Sequence, residues 1–295
     1  MYDDEQPESL PMLSSSAISS APPVHISAEL TFIVPQDTKP YFESSHSTGS
    51  VPKVHFQTEA RTVDIRDMRA IAGELSLDVQ GFTLHKHASA ITAFVDDDEV
   101  NARYDAELDA FLKSVTDADR VVVFDRTRRS DSTAGAANRD GLRGPANRVH
   151  ADYTPKSGPA RASDVIGAHE VRRIIENGGR IVQVNVWRPM SGPVKRSPLA
   201  LADASSVADE ELVATDQIFP DRVGEIFSVA YGAGQRWYFA PEIDVDEVII
   251  IKGWDSTDDG RSIYAPHGAF QLPNHSDDLP ARESIEVRTY LIFEG

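Results

Sequence analysis

The chain has 295 residues, 40% of them hydrophobic, and a formal net charge of −18 from 47 acidic and 29 basic side chains. That apolar content supports a real core and excludes a wholly disordered chain, while the acidic balance excludes a general nucleic-acid binder, which needs excess Lys and Arg. Cysteine is absent, so disulfides, thiolate nucleophiles and thiolate-held metal clusters are excluded, and any metal must sit on imidazole and carboxylate.

Residues 1–27 are rich in Ser, Pro and Ala without periodicity and are expected to form a flexible tail, leaving 28–295 as one domain. The opening Met1-Tyr2-Asp3-Asp4-Glu5 is acidic where a secretory signal is basic, and no apolar run nears membrane-spanning length. The expected location is therefore the cytoplasm, with no membrane partner.

Glu29–Val34 and Arg61–Asp67 read as strands, and Leu75–Leu84 as two strands around a Gln80-Gly81 turn. Ala93–Val115 has helical spacing, with Val95, Val100, Tyr104, Leu108, Phe111 and Leu112 on one stripe, and Asp96-Asp97-Asp98-Glu99 suits its N-terminal turns. Arg120–Asp125 is a dense apolar strand. The arginine-rich segment from Arg126 to Arg148, including Arg128 and Arg129, reads either as a mobile lid whose charge attracts a substrate carboxylate or as a plain surface loop.

Ala162–Asn177 is a second helix candidate, stopped by Gly178-Gly179. Ile181–Trp187 alternates cleanly: Val182, Val184 and Val186 point one way, and Gln183, Asn185 and Trp187 the other, toward a cavity if the fold is a barrel. Ile226–Tyr231 and Arg236–Phe239 read as a hairpin across Gly232-Ala233-Gly234, followed by strands at 246–255 and 284–293. Many short strands with a few helices predict a mainly-β fold, a barrel or sandwich with helical support.

The chemistry centres on His150-Ala151-Asp152 and His267. A strand's period of two puts His150 and Asp152 on one face, and a distant second imidazole completes the set that non-haem Fe(II) oxygenases use, with positions left open for cosubstrate and O₂. The same three ligands also hold zinc with a water, so the triad alone leaves oxidation and hydrolysis both open. His85-Lys86-His87 has the spacing but lacks a nearby carboxylate, and Lys86 repels a cation. On the last strand Arg282, Ser284, Glu286 and Arg288 share one side. An inward arginine with a hydroxyl neighbour suits the distal carboxylate of an oxo-acid, and either Arg282 or Arg288 fits, the other pairing with Glu286.

The segments Val121–Asp125, Arg148–Thr154, Asn185–Pro189, Pro198–Ala200 and Ser284–Arg288 carry a resemblance that runs from about Val63 to Phe293. The chain resembles the fungal and bacterial iron(II)/2-oxoglutarate-dependent oxygenases that include the gibberellin-desaturase-like and AsaB-like hydroxylase/desaturases, CmcJ and NvfI. The resemblance implies a double-stranded β-helix (jelly-roll or cupin-like) core, Fe(II) on His150, Asp152 and His267, and 2-oxoglutarate and O₂ as cosubstrates. It puts 2-oxoglutarate on Arg288 or Arg282, with Ser284, Gln183, Asn185, Trp187 and Arg188 nearby, although bonding to strand ends would explain Arg188 structurally. Tyr153, Thr154, Arg128 and Arg129 are expected at the substrate pocket. The implied reaction is hydroxylation, desaturation or oxidative ring closure of a small specialised metabolite, including a carboxylate-bearing, amino-acid-like one. A homodimer or partner subunit is left open, as are a non-redox metal enzyme and a non-catalytic barrel subunit.

Overall fold

The computed structural model describes residues 25–49, 51–91, 94–138 and 141–295. Two curled sheets face each other. The larger runs, in spatial order, through His25–Ile33, Thr58–Asp67, Trp237–Phe239, Leu199–Ala202, His267–Ala269, His150–Ala151, Val223–Val229, Leu212–Ile218, Tyr41–Glu43 and Lys53–Val54. The smaller runs through Phe82–Lys86, Glu247–Asp255, Arg180–Pro189, Glu283–Phe293 and Arg120–Ser130. This is the mainly-β, double-stranded β-helix arrangement expected from the sequence. No helix among the described residues is long and apolar enough to cross a membrane.

Alternation along Arg180–Pro189 sets the layering. Val182, Val184 and Val186 pack outward against Tyr104, Leu108 and Leu112 of a helical layer. Trp187 turns inward onto Leu199, Leu201 and Tyr238 of the larger sheet. Each fully buried Leu or Val contributes about 1.5–3 kcal/mol of transfer free energy, so a one-residue register slip, which would exchange the two faces, is strongly disfavoured.

The helical layer starts where the acids predicted it. Asp96 accepts hydrogen bonds from the Asp98 and Glu99 amides, and Asp97, Asp98 and Glu99 fill the first turn. A wide turn at Val100–Tyr104 leads into Asp105–Thr116. Val95 is 75% exposed and does not belong to the apolar stripe; Ala93 lies outside the described residues.

Several expectations are corrected. The boundary at residue 28 falls within a strand, because His25, Ile26 and Ser27 already pair with Arg66, Ile65 and Asp64; residues 1–24 of the expected tail lie outside the described residues. Leu75–Gly81 is a run of turns closed by its own hydrogen bonds, including Gln80 Oε1 accepting from the Ser76 amide. Only Phe82–Lys86 is a strand there. The expected lid is half sheet: Arg120–Ser130 stays paired with the last strand to its end, and Ala136–Asn138 pairs with Gly141–Arg143.

The hairpin across Gly232–Gly234 is also wrong. Val223–Val229 pairs instead with Leu212–Ile218 through a turn at Pro220-Asp221, where the Phe219 amide donates to Arg222 O. Trp237–Phe239 crosses to Leu199–Ala202 and Thr58–Asp67. Proline presets the backbone of a tight reversal, so the shorter loop took the hairpin.

Candidate metal centre

His150 and His267 are direct cross-strand partners in the larger sheet. Their ring centroids stand 4.6 Å apart, and one nitrogen from each lies with an Asp152 carboxylate oxygen inside a 4.8 Å cluster. Each ring is oriented alike, with Nδ1 2.9 Å from a backbone carbonyl two residues back: Arg148 O for His150, Ala265 O for His267. Donation from Nδ1–H fixes the tautomer and frees Nε2 for a metal. Burial, followed by the neighbouring His267, pulls the His150 ring down to about 3. It is therefore neutral at ordinary pH, the form that binds metal.

Asp152 presents its two oxygens differently. Oδ1 faces His150 Nε2 at 3.6 Å, while Oδ2 accepts from Asn185 Nδ2 at 2.5 Å. Gln183 Nε2 donates in turn to Asn185 Oδ1 at 2.8 Å, so both interior amides of the Arg180–Pro189 strand buttress the carboxylate. Gly253 makes room for them, since a Cβ there would meet Gln183 Oε1 at 1.9 Å. Burial opposes ionisation, but Arg288, His267 and His150 together hold the Asp152 carboxyl well below the usual carboxylate range.

The two terminal arginines have different company. Arg288 is ringed by acids: Nη1 donates to Asp125 at 2.6 Å, Nη2 meets Glu286 at 2.5 Å, and Nε lies 3.8 Å from Asp152. Arg282 is 2% exposed and donates from Nη1 to Ser197 O at 2.7 Å, with its guanidinium 5.9 Å from the Trp187 ring. Its Nε and Nη2, and the buried Ser284 Oγ, have no hydrogen-bond partner among the described residues. Burial, then the charge of Arg129, pulls Arg282 down to about 10. Orphaned buried donors beside a second cation are what an anionic ligand would satisfy.

A cavity of about 470 Å³ opens onto His150 and Asp152, walled by Phe42, Phe219, Ile226, Arg129 and Arg148. A second, of about 500 Å³, shares Asp152 and Arg288 with it and extends to Tyr153 and Arg161. Of the other sequence candidates, Arg129 pairs across the sheet with Ser284 and lines the first cavity. Arg128, one residue earlier, points to the opposite face, where it donates to Phe94 O and meets Asp97. Arg188 likewise faces the helical layer, bonding to His87 O and Val245 O and lying over Phe94 and Tyr104. Thr154 is buried and donates to Glu225 at 2.6 Å while capping the turn at Ser157.

Sequence reasoning passed over the roles of Arg148, Asp125 and Gly253. Period-two spacing from His150 would have found Arg148; Asp125 and Gly253 depend on cross-strand neighbours, which spacing does not supply.

Two imidazoles and one carboxylate within 4.8 Å of one another, with His150 and Asp152 opening onto a cavity, are the donor set that would suit Fe(II) in an oxygenase. The family model described as "Oxidoreductase/YMDC permease-like domain" matches residues 30–293. Among curated proteins, the chain is 33% identical to the alpha-ketoglutarate-dependent dioxygenase phiK of a fungal species, covering 85% of this chain and 94% of that protein. It is 31% identical to the hydroxylase/desaturase efuI of Hormonema carpetanum, covering 83% and 88%. The solved structure of the iron and alpha-ketoglutarate-dependent endoperoxidase NvfI superposes with a TM-score of 0.79 at 28% identity, covering 92% of this chain and 98% of that one. The chain belongs to this family and is an Fe(II)/2-oxoglutarate-dependent dioxygenase.

Proposed function

We propose that His150, Asp152 and His267 hold the Fe(II), that Arg282 and Ser284 grip the distal carboxylate of 2-oxoglutarate, and that a small specialised metabolite occupies the cavity beside His150. The observation that carries this reading is the convergence of His150, Asp152 and His267, each held from behind by a hydrogen bond, with His150 and Asp152 opening onto that cavity. Iron with 2-oxoglutarate and O₂ supplies the oxidant for an unactivated C–H bond, giving hydroxylation, desaturation or oxidative ring closure.

The chain's own residues do the positioning. Asn185 and Arg288 occupy one side of the Asp152 carboxylate, so that Oδ1 is turned toward His150. Phe42, Phe219 and Ile226 give the substrate an apolar wall that excludes water from the reacting centre. The unpartnered Arg282 and Ser284 groups match a carboxylate's acceptors, whereas Arg288 already has three acidic neighbours.

Anaerobic addition of Fe(II) and 2-oxoglutarate is expected to produce a visible metal-to-ligand charge-transfer band. H150A, D152A and H267A should each lose both the band and tight iron binding. A variant that keeps both would remove that residue from the ligand set.

A further inference from the structure

Cations predominate among the charged residues that line the cavity beside His150. Arg129, Arg143, Arg148 and Arg288 line it, and among its described lining residues Asp152 is the sole carboxylate. Arg288 is matched by Glu286, Asp125 and Asp152. Arg148 forms no ion pair among the described residues; its guanidinium lies over the rings of Phe42 and Phe56, at 5.3 Å and 5.9 Å. Aromatic faces hold the plane of a guanidinium and leave its N–H edge for a planar carboxylate.

Arg148 is also rigidly tied to the metal site. It precedes His150 by two residues, so both side chains share one face of the chain, and its carbonyl orients the His150 ring. The next residue, Val149, is fixed by the hydrogen bond that its amide N–H donates to Thr31 O. The cavity lining includes the apolar side chains Phe42, Val51, Phe219 and Ile226, and among the described residues it holds no carboxylate besides Asp152 to receive an ammonium.

We infer that the substrate is a carboxylate with an apolar skeleton rather than a zwitterionic amino acid, and that Arg148 receives its carboxylate. The inference rests on the iron assignment proposed above. The grip fixes one end of the molecule at Arg148, in the cavity that His150 also lines.

The test titrates the anaerobic enzyme, saturated with Fe(II) and 2-oxoglutarate, with cyclohexanecarboxylate and 1-naphthoate and with their uncharged amides. Calorimetry and the shift of the charge-transfer band report binding. The wild type should prefer acid over amide by about 10-fold or more, as expected for one charge-assisted bidentate contact. R148Q should abolish the preference without altering 2-oxoglutarate affinity, and R148K should retain part of it. Equal binding of acid and amide by the wild type overturns the inference, as does a preference that survives in R148Q. Loss of 2-oxoglutarate affinity in R148Q would hand Arg148 to the cosubstrate and overturn it equally. If R148Q does not fold, the wild-type preference and the R148K response decide. Should no charge-transfer band form before any probe is added, the iron assignment fails on its own, and the acid-over-amide preference is then read by calorimetry on the metal-free protein.

Discussion

Arg288 Nε lies 3.8 Å from Asp152 Oδ2, the same oxygen that accepts the Asn185 amide. One carboxylate oxygen is thus taken by the protein, and the other is left facing His150. Groups that orient a metal ligand from behind commonly account for 10–100-fold in metal affinity or activity. N185A should therefore weaken Fe(II) binding by about 10-fold or more, with little change in thermal stability beyond that of a single buried hydrogen bond. Calorimetric titration with Fe(II), or with Mn(II) as an air-stable substitute, checks this. An unchanged affinity would mean that Asp152 needs no help from Asn185.

Arg282 and Arg288 should separate cleanly by assay. Removing a charge-assisted contact to a ligand carboxylate costs about 1.5–3 kcal/mol, or roughly 10–100-fold in affinity, so R282Q should weaken 2-oxoglutarate binding by that factor. S284A should act in the same direction with a smaller effect. R288Q should instead lower stability by about 3–5 kcal/mol, because it strands buried Glu286 without its cation. Cosubstrate titrations and urea unfolding of both variants decide the matter; the opposite pattern would reassign the cosubstrate to Arg288.

Much of the site was legible because it obeys a period of two. Alternation along Arg180–Pro189 placed Asn185 and Gln183 indoors, and His150 with Asp152 on one face. The same rule separates Arg129 from Arg128, yet the arginine-rich stretch hid it: Arg126 and Arg128 neutralise the helical-layer carboxylates Asp105 and Asp97, so a paired strand looked like a polar loop. Arg282 and Arg288 have the same parity, and spacing alone does not tell them apart. The distinction comes from neighbours on another strand, with Asp125 opposite Arg288 and Arg129 opposite Ser284. The misplaced hairpin has a similar origin, since the sequence shows turns but not which strand a turn delivers the chain to.

Gly253 should be intolerant of even one methyl group. A Cβ there would meet Gln183 Oε1 at 1.9 Å and Tyr153 Cδ2 at 3.3 Å, within the 253–183–185–152 chain of contacts behind the Asp152 carboxylate. Overpacking of this kind costs about 1–3 kcal/mol. G253A is expected to lower the unfolding midpoint and to weaken Fe(II) binding along with it. If only stability falls, Gln183 is a core residue with no influence on Asp152.

Asp78 gives a prediction in pH. The Lys252 ammonium, fully buried, donates to Asp78 at 2.8 Å, to Asp255 at 2.8 Å and to Ser262 O at 2.9 Å, tying down the loop that leads to His267. Burial pushes the Asp78 carboxyl up, but hydrogen bonds from Arg180 and Lys252 outweigh it and bring the group down to about 2. In the unfolded chain an aspartate titrates near about 3.9. A carboxyl depressed by folding stabilises the native state above its unfolded value, and that contribution fades as pH falls toward the folded one. The stability difference between wild type and D78N should thus be complete at pH 6, begin to shrink below about pH 4, and approach its minimum near about pH 2. Urea midpoints at pH 6, about 4.5 and about 3 measure the gap. A gap that stays constant across this range would show that Asp78 acts through shape and hydrogen bonding alone, without its charge.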